Sequence, residues 1–285
     1  MAVLESGLAR ITDAERYPLT EPGSPVWERA VAAARRDLAG SGCCVLRDFI
    51  PARALQALRA ECASLSDQAY YGERVVNVYN TAPDPSLPED HPARHTMLRG
   101  NAFVARDRIP ADFIIQRLYD SPEFRRFLAA CFGAAELHPL ADPLAGLTVN
   151  VVRPGMEHPW HFDTNEFAVS LITSEPDSGG VFQYCPGIRS AQAENFPDVA
   201  AVLRGDGAHL VRSLTLRPGD LQLFHGRYSL HRVSPVAGAT SRYSAIFAYT
   251  RRTGVMGSEE RSRQLFGRTA PEHAVGGDRP DDLLD

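Results

Sequence analysis

His161 and Asp163 lie two residues apart in a stretch that reads Glu-His-Pro-Trp-His-Phe-Asp-Thr-Asn-Glu over residues 157–166. On a β-strand, residues i and i+2 point to the same face, so this imidazole and this carboxylate can converge on one point. They would supply two ligands of a 2-His-1-carboxylate triad, an arrangement that holds Fe(II) and leaves coordination positions open. Two polar residues at the end of a strand would look the same, so the interpretation depends on a third ligand.

His231 is the best candidate for that third ligand. It falls in a predicted strand, residues 230–233, and follows His161 by 70 residues. A jelly roll can bring such distant strands together across its mouth. His225 is the rival candidate, but Phe-His-Gly-Arg at residues 224–227 is typical of a turn that follows a strand. We therefore expect His161, Asp163 and His231 to be the metal ligands and the catalytic centre.

Arg242 and Ser244 form a second pair, which begins eleven residues after His231. On the last predicted strand they share a face. A guanidinium matches a carboxylate through two parallel hydrogen bonds, and a hydroxyl beside it adds a third. The pair therefore predicts a site for the distal carboxylate of 2-oxoglutarate; a structural salt bridge is the alternative.

Together these residues resemble the Fe(II)/2-oxoglutarate-dependent dioxygenases. The resemblance rests on His161-Phe162-Asp163, then His231, then Arg242-Tyr243-Ser244 after ten intervening residues, and it covers roughly residues 147–250. It implies an enzyme that uses Fe(II), 2-oxoglutarate and O2. The cofactor carries the oxidation, and the protein positions the target carbon.

A narrower likeness points to the amino-acid hydroxylase and halogenase branch of this family. It runs from Gly-Gly-Val-Phe at residues 179–182, through Pro-Gly-Ile-Arg-Ser at 186–190, to Glu-Asn at 194–195. Members of that branch act on free amino acids, and the halogenating members carry Gly in place of the acidic ligand. Because this chain keeps Asp163, the resemblance implies hydroxylation or a related oxidation of a free amino acid or an amino-acid-derived metabolite, in bacterial secondary metabolism.

Several alternatives stay open at this stage. The same radical chemistry could give desaturation, ring closure or epimerisation, because the outcome depends on how the substrate is held. The substrate could also be larger, such as a lipid or a carrier-bound acyl group. A non-catalytic jelly-roll binding module is the alternative from another class, and the intact set of ligands with its Arg and Ser argues against it.

Composition narrows the functional classes further. The net charge of −5 argues against a nucleic-acid or anionic-membrane surface, and all 30 basic residues are Arg, which excludes Lys-dependent Schiff-base chemistry. The five cysteines, at positions 43, 44, 62, 131 and 185, form neither a zinc-like CxxC pair nor a disulfide framework. With no signal peptide or membrane span visible, we expect a cytoplasmic protein.

The elements that must position these residues change character along the chain. Residues 26–38, 51–64 and 110–132 have apolar residues at helical spacing, and residues 43–50 resemble a short strand. From Leu147 onward, seven or eight short strands alternate with turns, and one of these strands is expected at residues 210–216. This pattern predicts a mainly β protein with flanking helices and a double-stranded β-helix, or jelly-roll, core of the cupin kind.

The whole chain, residues 1–285, is expected to form one oxygenase domain. Residues 1–146 would give mainly helical support and a substrate loop, residues 147–252 the core with the metal site, and residues 253–285 a tail that could act as a lid. Residues 258–266 are expected to form a helix, and residues 270–285, rich in Pro, Gly and acidic residues, to fray.

The substrate contacts are expected to come from outside the predicted metal strands. Residues 69–100 are predicted to be a long irregular loop, dense in Pro, His and Arg, and such loops often bind ligands. We expect Arg99 to hold a substrate carboxylate, with Arg94 next in order, and His158 to face the site. The loop at residues 81–101 and the tail at 253–268 would close over the site when substrate binds.

Overall fold

The computed structural model describes residues 7–82, 84–274 and 283–284. The helices in this part of the chain are α1 (Gly7–Ile11), α2 (Pro25–Ser41), α3 (Ala52–Ser64), α4 (Ile114–Asp120), α5 (Pro122–Phe132), α6 (Phe196–Arg204) and α7 (Glu259–Phe266). The strands are β1 (Cys43–Leu46), β2 (Arg74–Val76), β3 (Met97–Arg99), β4 (Ala102–Val104), β5 (His138–Pro139), β6 (Leu147–Val152), β7 (His158–His161), β8 (Phe167–Ser174), β9 (Ser178–Gly179), β10 (Phe182–Cys185), β11 (Arg212–Leu214), β12 (Leu221–Phe224), β13 (Leu230–Val233), β14 (Val236–Ala237) and β15 (Arg242–Thr250).

Two antiparallel sheets face each other across a cavity. The larger sheet has the order β1-β12-β8-β15-β6-β4, with β5 paired to β15, and the smaller sheet has the order β11-β10-β13-β7. Strands adjacent in the sheets are distant in the chain, which is the connectivity of a jelly roll. The predicted fold class, mainly β with flanking helices around a jelly-roll core, is confirmed.

Strand β15 shows why one face of the larger sheet carries chemistry and the other carries the core. Side chains alternate between the faces of a strand. Ala245, Phe247 and Tyr249 point away from the cavity into the main hydrophobic core, where α2, α3 and α5 pack. The residues that alternate with them, Arg242, Ser244, Ile246 and Ala248, line the cavity. The helices therefore cover the outer face and hold the sheet in place behind the site.

Most predicted elements occur within one to three residues of their expected bounds. Two helices lie in residues 110–132, and Ser121 caps the second by accepting a hydrogen bond from the backbone N–H of Phe124. The predicted helix at residues 258–266 is α7, and Ser258 caps it in the same way. These ends could be predicted because capping is a local interaction between neighbouring residues.

Three expectations need correction. The strand expected at residues 43–50 ends at Leu46, where the chain turns. The loop expected at residues 69–100 contains β2 and β3, which pair with each other. The strand expected at residues 210–216 is shorter, Arg212–Leu214, and follows a turn of 3-10 helix. In each case the extent of the strand depends on which other strand pairs with it, and the local sequence does not reveal that partner.

The C-terminal tail is only partly described. The fraying expected over residues 270–285 falls largely outside the described residues, but Pro271–Ala274 forms a 3-10 turn and His273 is buried. No helix in the described part of the chain is long and apolar enough to span a membrane. The division into one domain with three functional segments stays a prediction, although β1, β4 and β5 show that residues 1–146 also contribute strands to the larger sheet.

Candidate active site

Pairing between β7 and β13 brings the two expected histidine ligands together. His161 lies directly opposite His231 in the register of these strands, and their ring centroids are 4.1 Å apart. Asp163 follows just after the end of β7 rather than within the strand, so the expectation that both residues share a strand is wrong. Its Oδ1 nevertheless lies 3.7 Å from His161 Nε2 and 3.6 Å from His231 Nε2. Three ligand atoms thus surround one point, all within 4.8 Å of one another.

Backbone carbonyls fix both histidine rings in the same tautomer. His161 Nδ1 lies 2.7 Å from the carbonyl oxygen of Pro159, and His231 Nδ1 lies 2.8 Å from that of Ser229. A carbonyl oxygen only accepts, so each Nδ1 carries the proton and each Nε2 presents a lone pair. Burial lowers the pKa of His161 well below 6.5, so this ring stays neutral, as a metal ligand must. This donor set of two imidazoles and a carboxylate fits Fe(II).

Gly226 holds the acidic ligand in position. The backbone N–H of Asp163 donates to the carbonyl oxygen of Gly226 at 3.2 Å. A Cβ added at Gly226 would lie 2.1 Å from Asp163 Oδ2 and 2.9 Å from its Cγ. No side chain at this position is compatible with the observed carboxylate. Gly226 belongs to the turn that contains His225, and His225 itself packs against Phe132 and Phe167 rather than facing the three ligands.

Arg242 and Ser244 sit together on the cavity face of β15, as their spacing predicted. Both are buried, and Arg242 Nη1 donates to Ser244 Oγ at 3.3 Å. Burial lowers the pKa of Arg242 to about 10, so the guanidinium remains charged at neutral pH. A buried cation is stable only with an anionic or multiply hydrogen-bonded partner. The pair therefore presents a buried cation and a hydroxyl, groups that suit a carboxylate, at one end of the cavity.

One cavity of about 370 Å³ contains the three ligands and this pair. Its polar lining also includes Thr148, Asn150, Ser170 and Gln222 from the larger sheet. His158 lines it as well, and its ring stacks on that of His161 at 3.8 Å between centroids. Asn101 donates to Asn150, whose side-chain amide lies 3.5 Å from His158 Nδ1, so a short polar chain positions this ring.

Arg99 is buried beside the cavity but is not among the residues that line it. Its Nη2 donates to the carbonyl oxygen of Gln264 in α7 at 2.5 Å, whereas its Nε and Nη1 have no hydrogen-bond partner among the described residues. Burial lowers its pKa to about 10, which leaves it charged at neutral pH. Arg94, the second choice, is exposed and donates to the carbonyl oxygens of Pro85 and Leu87 in its own loop.

Helix α7 contributes a cation that no sequence pattern singled out. Ser258, Arg261, Ser262 and Leu265 line the cavity. Arg261 Nη1 donates to Asn80 Oδ1 at 2.9 Å. The Nδ2 of Asn80 donates in turn to the carbonyl oxygen of Phe162 at 3.4 Å. In the sequence, Phe162 stands between the candidate ligands His161 and Asp163. Asn80 has a left-handed backbone, with φ of 58°, a conformation that Asn tolerates better than most residues. The tail expected to act as a lid thus already covers the cavity.

Trp160 and Phe162 are buried in a second hydrophobic cluster behind the smaller sheet. The guanidinium of Arg189 lies 3.8 Å from the ring centroid of Phe162. Trp160 and Phe162, on either side of His161, therefore anchor this end of β7, while His161 and Asp163 face the cavity. This agrees with the alternation assumed from the sequence.

Comparison with solved structures finds oxygenases of the same fold. The chain is similar to the non-heme α-ketoglutarate-dependent carbocyclase SnoK from nogalamycin biosynthesis, with 17% identity, a TM-score of 0.53, and coverage of 89% of this chain and 94% of that one. It is also similar to AviO1 from Streptomyces viridochromogenes Tue57, with 18% identity, a TM-score of 0.51, and coverage of 79% and 96%. At these identities the likeness concerns the fold. A comparison with curated protein sequences finds no match.

Comparison with family models gives a match over most of the chain. Residues 26–265 match the family described as Halogenase D, so the match spans every element from α2 to α7. It decides against the alternative of a non-catalytic jelly-roll binding module and agrees with the donor set described above. The chain belongs to the halogenase D family, and it is an enzyme of the Fe(II)/2-oxoglutarate-dependent dioxygenase class.

Proposed function

We propose that this enzyme hydroxylates an unactivated C–H bond of a free amino acid, or of a metabolite derived from one, and that it does not halogenate. The observation that carries the proposal is Asp163. Its carboxylate completes the set of three ligand atoms and is seated against Gly226. With Fe(II) bound, this carboxylate would fill the coordination position that a halide would need. Bound Fe(II), 2-oxoglutarate and O2 would supply the oxidation, with succinate and CO2 as coproducts.

The chain's own residues would perform the following tasks. His161, Asp163 and His231 would hold Fe(II), and Arg242 with Ser244 would hold the distal carboxylate of 2-oxoglutarate. Arg99 and His158 are the proposed substrate contacts. The support for Arg99 is its pair of buried N–H groups without a partner, since a buried guanidinium favours binding of an anion. The support for His158 is its position on the cavity wall, stacked on His161.

Helix α7 would exclude water from the reacting centre. It lies over the cavity and is tied to both sides of the mouth, through Arg99 on β3 and Asn80 after β2. Excluding water strengthens the electrostatic interactions inside a site and limits side reactions. Closure of this helix and of the loop at residues 81–101 on substrate binding is part of the proposal. A role in bacterial secondary metabolism and a cytoplasmic location also remain proposals.

The test is to combine the protein anaerobically with Fe(II), 2-oxoglutarate, chloride and a panel of free amino acids, and then to admit oxygen. We expect succinate together with a product that has gained one oxygen atom, and no chlorinated product at any chloride concentration. Loss of two hydrogen atoms would instead identify desaturation or ring closure, and inverted configuration would identify epimerisation. A chlorinated product from the native protein would contradict the proposal. Succinate formation without any modified amino acid would point to a larger, carrier-bound or lipid substrate.

The variant Asp163→Gly gives the matching control. We expect it to lose hydroxylation, because one of three ligands is gone. Chlorination by this variant would require a halide site of suitable shape as well as an open coordination position. If the native protein chlorinates, the proposal fails whether or not this variant does.

A further inference from the structure

Arg189 is a buried arginine for which neither the metal site nor the cosubstrate site gives a role. Only 2% of its surface is exposed, yet it is not among the residues that line the cavity. It stands in the Pro-Gly-Ile-Arg-Ser stretch at residues 186–190, which carries part of the family likeness in the sequence. Burial of a guanidinium is costly unless its contacts compensate for the lost water, so those contacts indicate what it does.

The guanidinium of Arg189 contacts both segments that adjoin the acidic ligand. Its face lies 3.8 Å from the ring centroid of Phe162, the residue before Asp163. Its Nε donates to the carbonyl oxygen of Arg227 at 2.7 Å. One planar group thus joins the end of β7 to the turn at residues 225–228.

This turn holds the backbone of Asp163 from both sides. Asp163 lies beyond the end of β7, so pairing with β13 does not position it. Its N–H donates to the carbonyl oxygen of Gly226 at 3.2 Å, and Nη1 of Arg227 donates to the carbonyl oxygen of Thr164 at 3.0 Å. Because Gly226 lies so close to the carboxylate that a Cβ would overlap it, a displacement of the turn would displace the ligand atoms as well.

Glu194 keeps the guanidinium in this orientation. Nη1 of Arg189 donates to Oε2 of Glu194 at 3.0 Å and to the carbonyl oxygen of Leu284 at 2.9 Å. The backbone N–H of Leu284 donates to the other carboxylate oxygen. The buried charge is therefore paired at one edge, while its face meets Phe162 and its Nε meets the turn. An ammonium group could not make these contacts together, because it has no plane.

We propose that Arg189 is a positioning residue for the acidic ligand: acting through Phe162 and the turn, it holds the Asp163 carboxylate toward the two histidine ligands. The inference rests on the proposed role of Asp163 as an iron ligand, and it does not depend on which substrate is oxidised. Loss of such a support behind a metal ligand typically lowers metal affinity by about 10- to 100-fold.

Arg189→Lys tests the inference, because it keeps the charge that Glu194 requires and removes the plane. The readout is Fe(II) affinity, measured by anaerobic titration of the metal-free protein, and we expect binding to be about 10- to 100-fold weaker. Arg232→Lys is the matched control. Arg232 lies 4.8 Å from the ring centroid of Trp160 and its Nε donates to Gln183 at 2.7 Å, so it makes the same two kinds of contact with other residues. We expect this control to bind Fe(II) as the native protein does.

Two further measurements separate positioning from a general effect on folding. Co(II) in place of Fe(II) reports its ligands through its visible absorption, and Arg189→Lys should change this spectrum in the direction that Asp163→Ala does. In an Asp163→Ala background, Arg189→Lys should add no further loss of metal affinity. An additive loss there, or a native spectrum in Arg189→Lys, would overturn the inference.

Failure of the inference and failure of the proposed function give different results. If Asp163→Ala loses Fe(II) and a folded Arg189→Lys does not, the inference alone fails. If Asp163→Ala binds Fe(II) as the native protein does, the proposed ligand role fails, and the inference with it. Should Arg189→Lys not fold, Phe162→Leu removes the stacked ring and leaves the charge pair, and we expect it to weaken Fe(II) binding. Native Fe(II) affinity in a folded Phe162→Leu protein would then overturn the inference.

Discussion

The two ends of strand β15 face the same cavity but have opposite chemistry. At its start, Arg242 and Ser244 place a buried charge and a hydroxyl on the cavity, whereas further along the same face Ile246 and Ala248 are aliphatic. The first end suits the distal carboxylate of 2-oxoglutarate, the cosubstrate that enzymes of this class share. The second end is proposed to face the substrate. One strand thus carries the proposed cosubstrate site at one end only, and two of the proposed metal ligands, His161 and His231, lie on the facing sheet.

The two ends also differ in how they are built. The pair at the start of β15 consists of residues two apart on one strand, so it is a local arrangement. The apolar side chains that line the cavity come from several elements. Those of residues 103, 140, 145, 246 and 265 meet only through tertiary packing. A change at the first end should therefore affect cosubstrate binding alone. A change at the second should affect substrate choice and, through α7, access to the cavity.

Loss of a metal ligand should remove the function of both ends, and it is the largest effect we expect. His161→Ala, Asp163→Ala or His231→Ala should lower Fe(II) affinity by more than about 100-fold, since even loss of an outer partner of a ligand can cost that much. Anaerobic titration with Fe(II), followed by an assay of succinate, measures it. His225→Ala is the matched control, because His225 packs against Phe132 and Phe167. Loss of iron in His225→Ala with full activity in His231→Ala would show that the ligand assignment is wrong.

Arg242→Leu should affect the first end alone. Truncating one partner of a buried charge pair costs about 2–5 kcal/mol, or roughly 30- to 5,000-fold in affinity. We expect the 2-oxoglutarate requirement to rise within that range while Fe(II) binding stays as in the native protein. Ser244→Ala should act in the same direction with a smaller effect, because it removes one neutral hydrogen-bond partner. An unchanged 2-oxoglutarate dependence in Arg242→Leu would place the cosubstrate elsewhere.

Gly226→Ala should disturb the ligand that separates this chain from the halogenating arrangement. Its methyl group would lie 2.1 Å from Asp163 Oδ2, so the carboxylate must move. We expect Fe(II) affinity to fall by about 10- to 100-fold, as for other lost supports of a metal ligand. In an Asp163→Gly background the clash is absent, so Gly226→Ala should then add no further loss. Gly40→Ala is the control, because nothing lies within 4 Å of a Cβ at that position. Additive losses in the double variant would mean that Gly226 acts through the backbone and not through Asp163.

More of the proposed metal side of the cavity than of the proposed substrate side could be predicted from the sequence. His161 and His231 could be selected as candidate ligands from their predicted strands, and Arg242 with Ser244 from strand periodicity. Asp163 was selected on the same periodicity, but it lies just beyond the end of β7 and is held by a backbone hydrogen bond to Gly226. The role of Leu265 could not be predicted, since apolar residues at helical spacing indicate a buried face and not which cavity that face lines. Arg261 was missed for a related reason: helix α7 was predicted, but its position over the cavity depends on contacts with Asn80 and Arg99, both more than 150 residues away.

Arg99→Ala is the smallest of these effects and the one that tests the cationic side of the substrate site. Loss of a charged hydrogen bond to the substrate carboxylate should raise the Michaelis constant for the amino acid by about tenfold, the lower end of what such bonds contribute. Formation of succinate without substrate should be largely unchanged. Hydrogen exchange in the loop at residues 81–101 should still slow when substrate is added anaerobically to the native protein, and less so in the variant.

Because Arg99 also holds α7 through Gln264, its two roles must be separated. Arg268→Ala removes a different tether of the tail, an exposed ion pair of 2.6 Å with Asp107, without removing a buried cation. Comparing each amino acid with its carboxamide then distinguishes charge recognition from tethering. The native protein and Arg268→Ala should prefer the acid, and Arg99→Ala should lose most of that preference. If Arg99→Ala keeps the preference in full, Arg99 serves only to hold the helix, and Arg261, which lines the cavity itself, becomes the residue that receives the carboxylate.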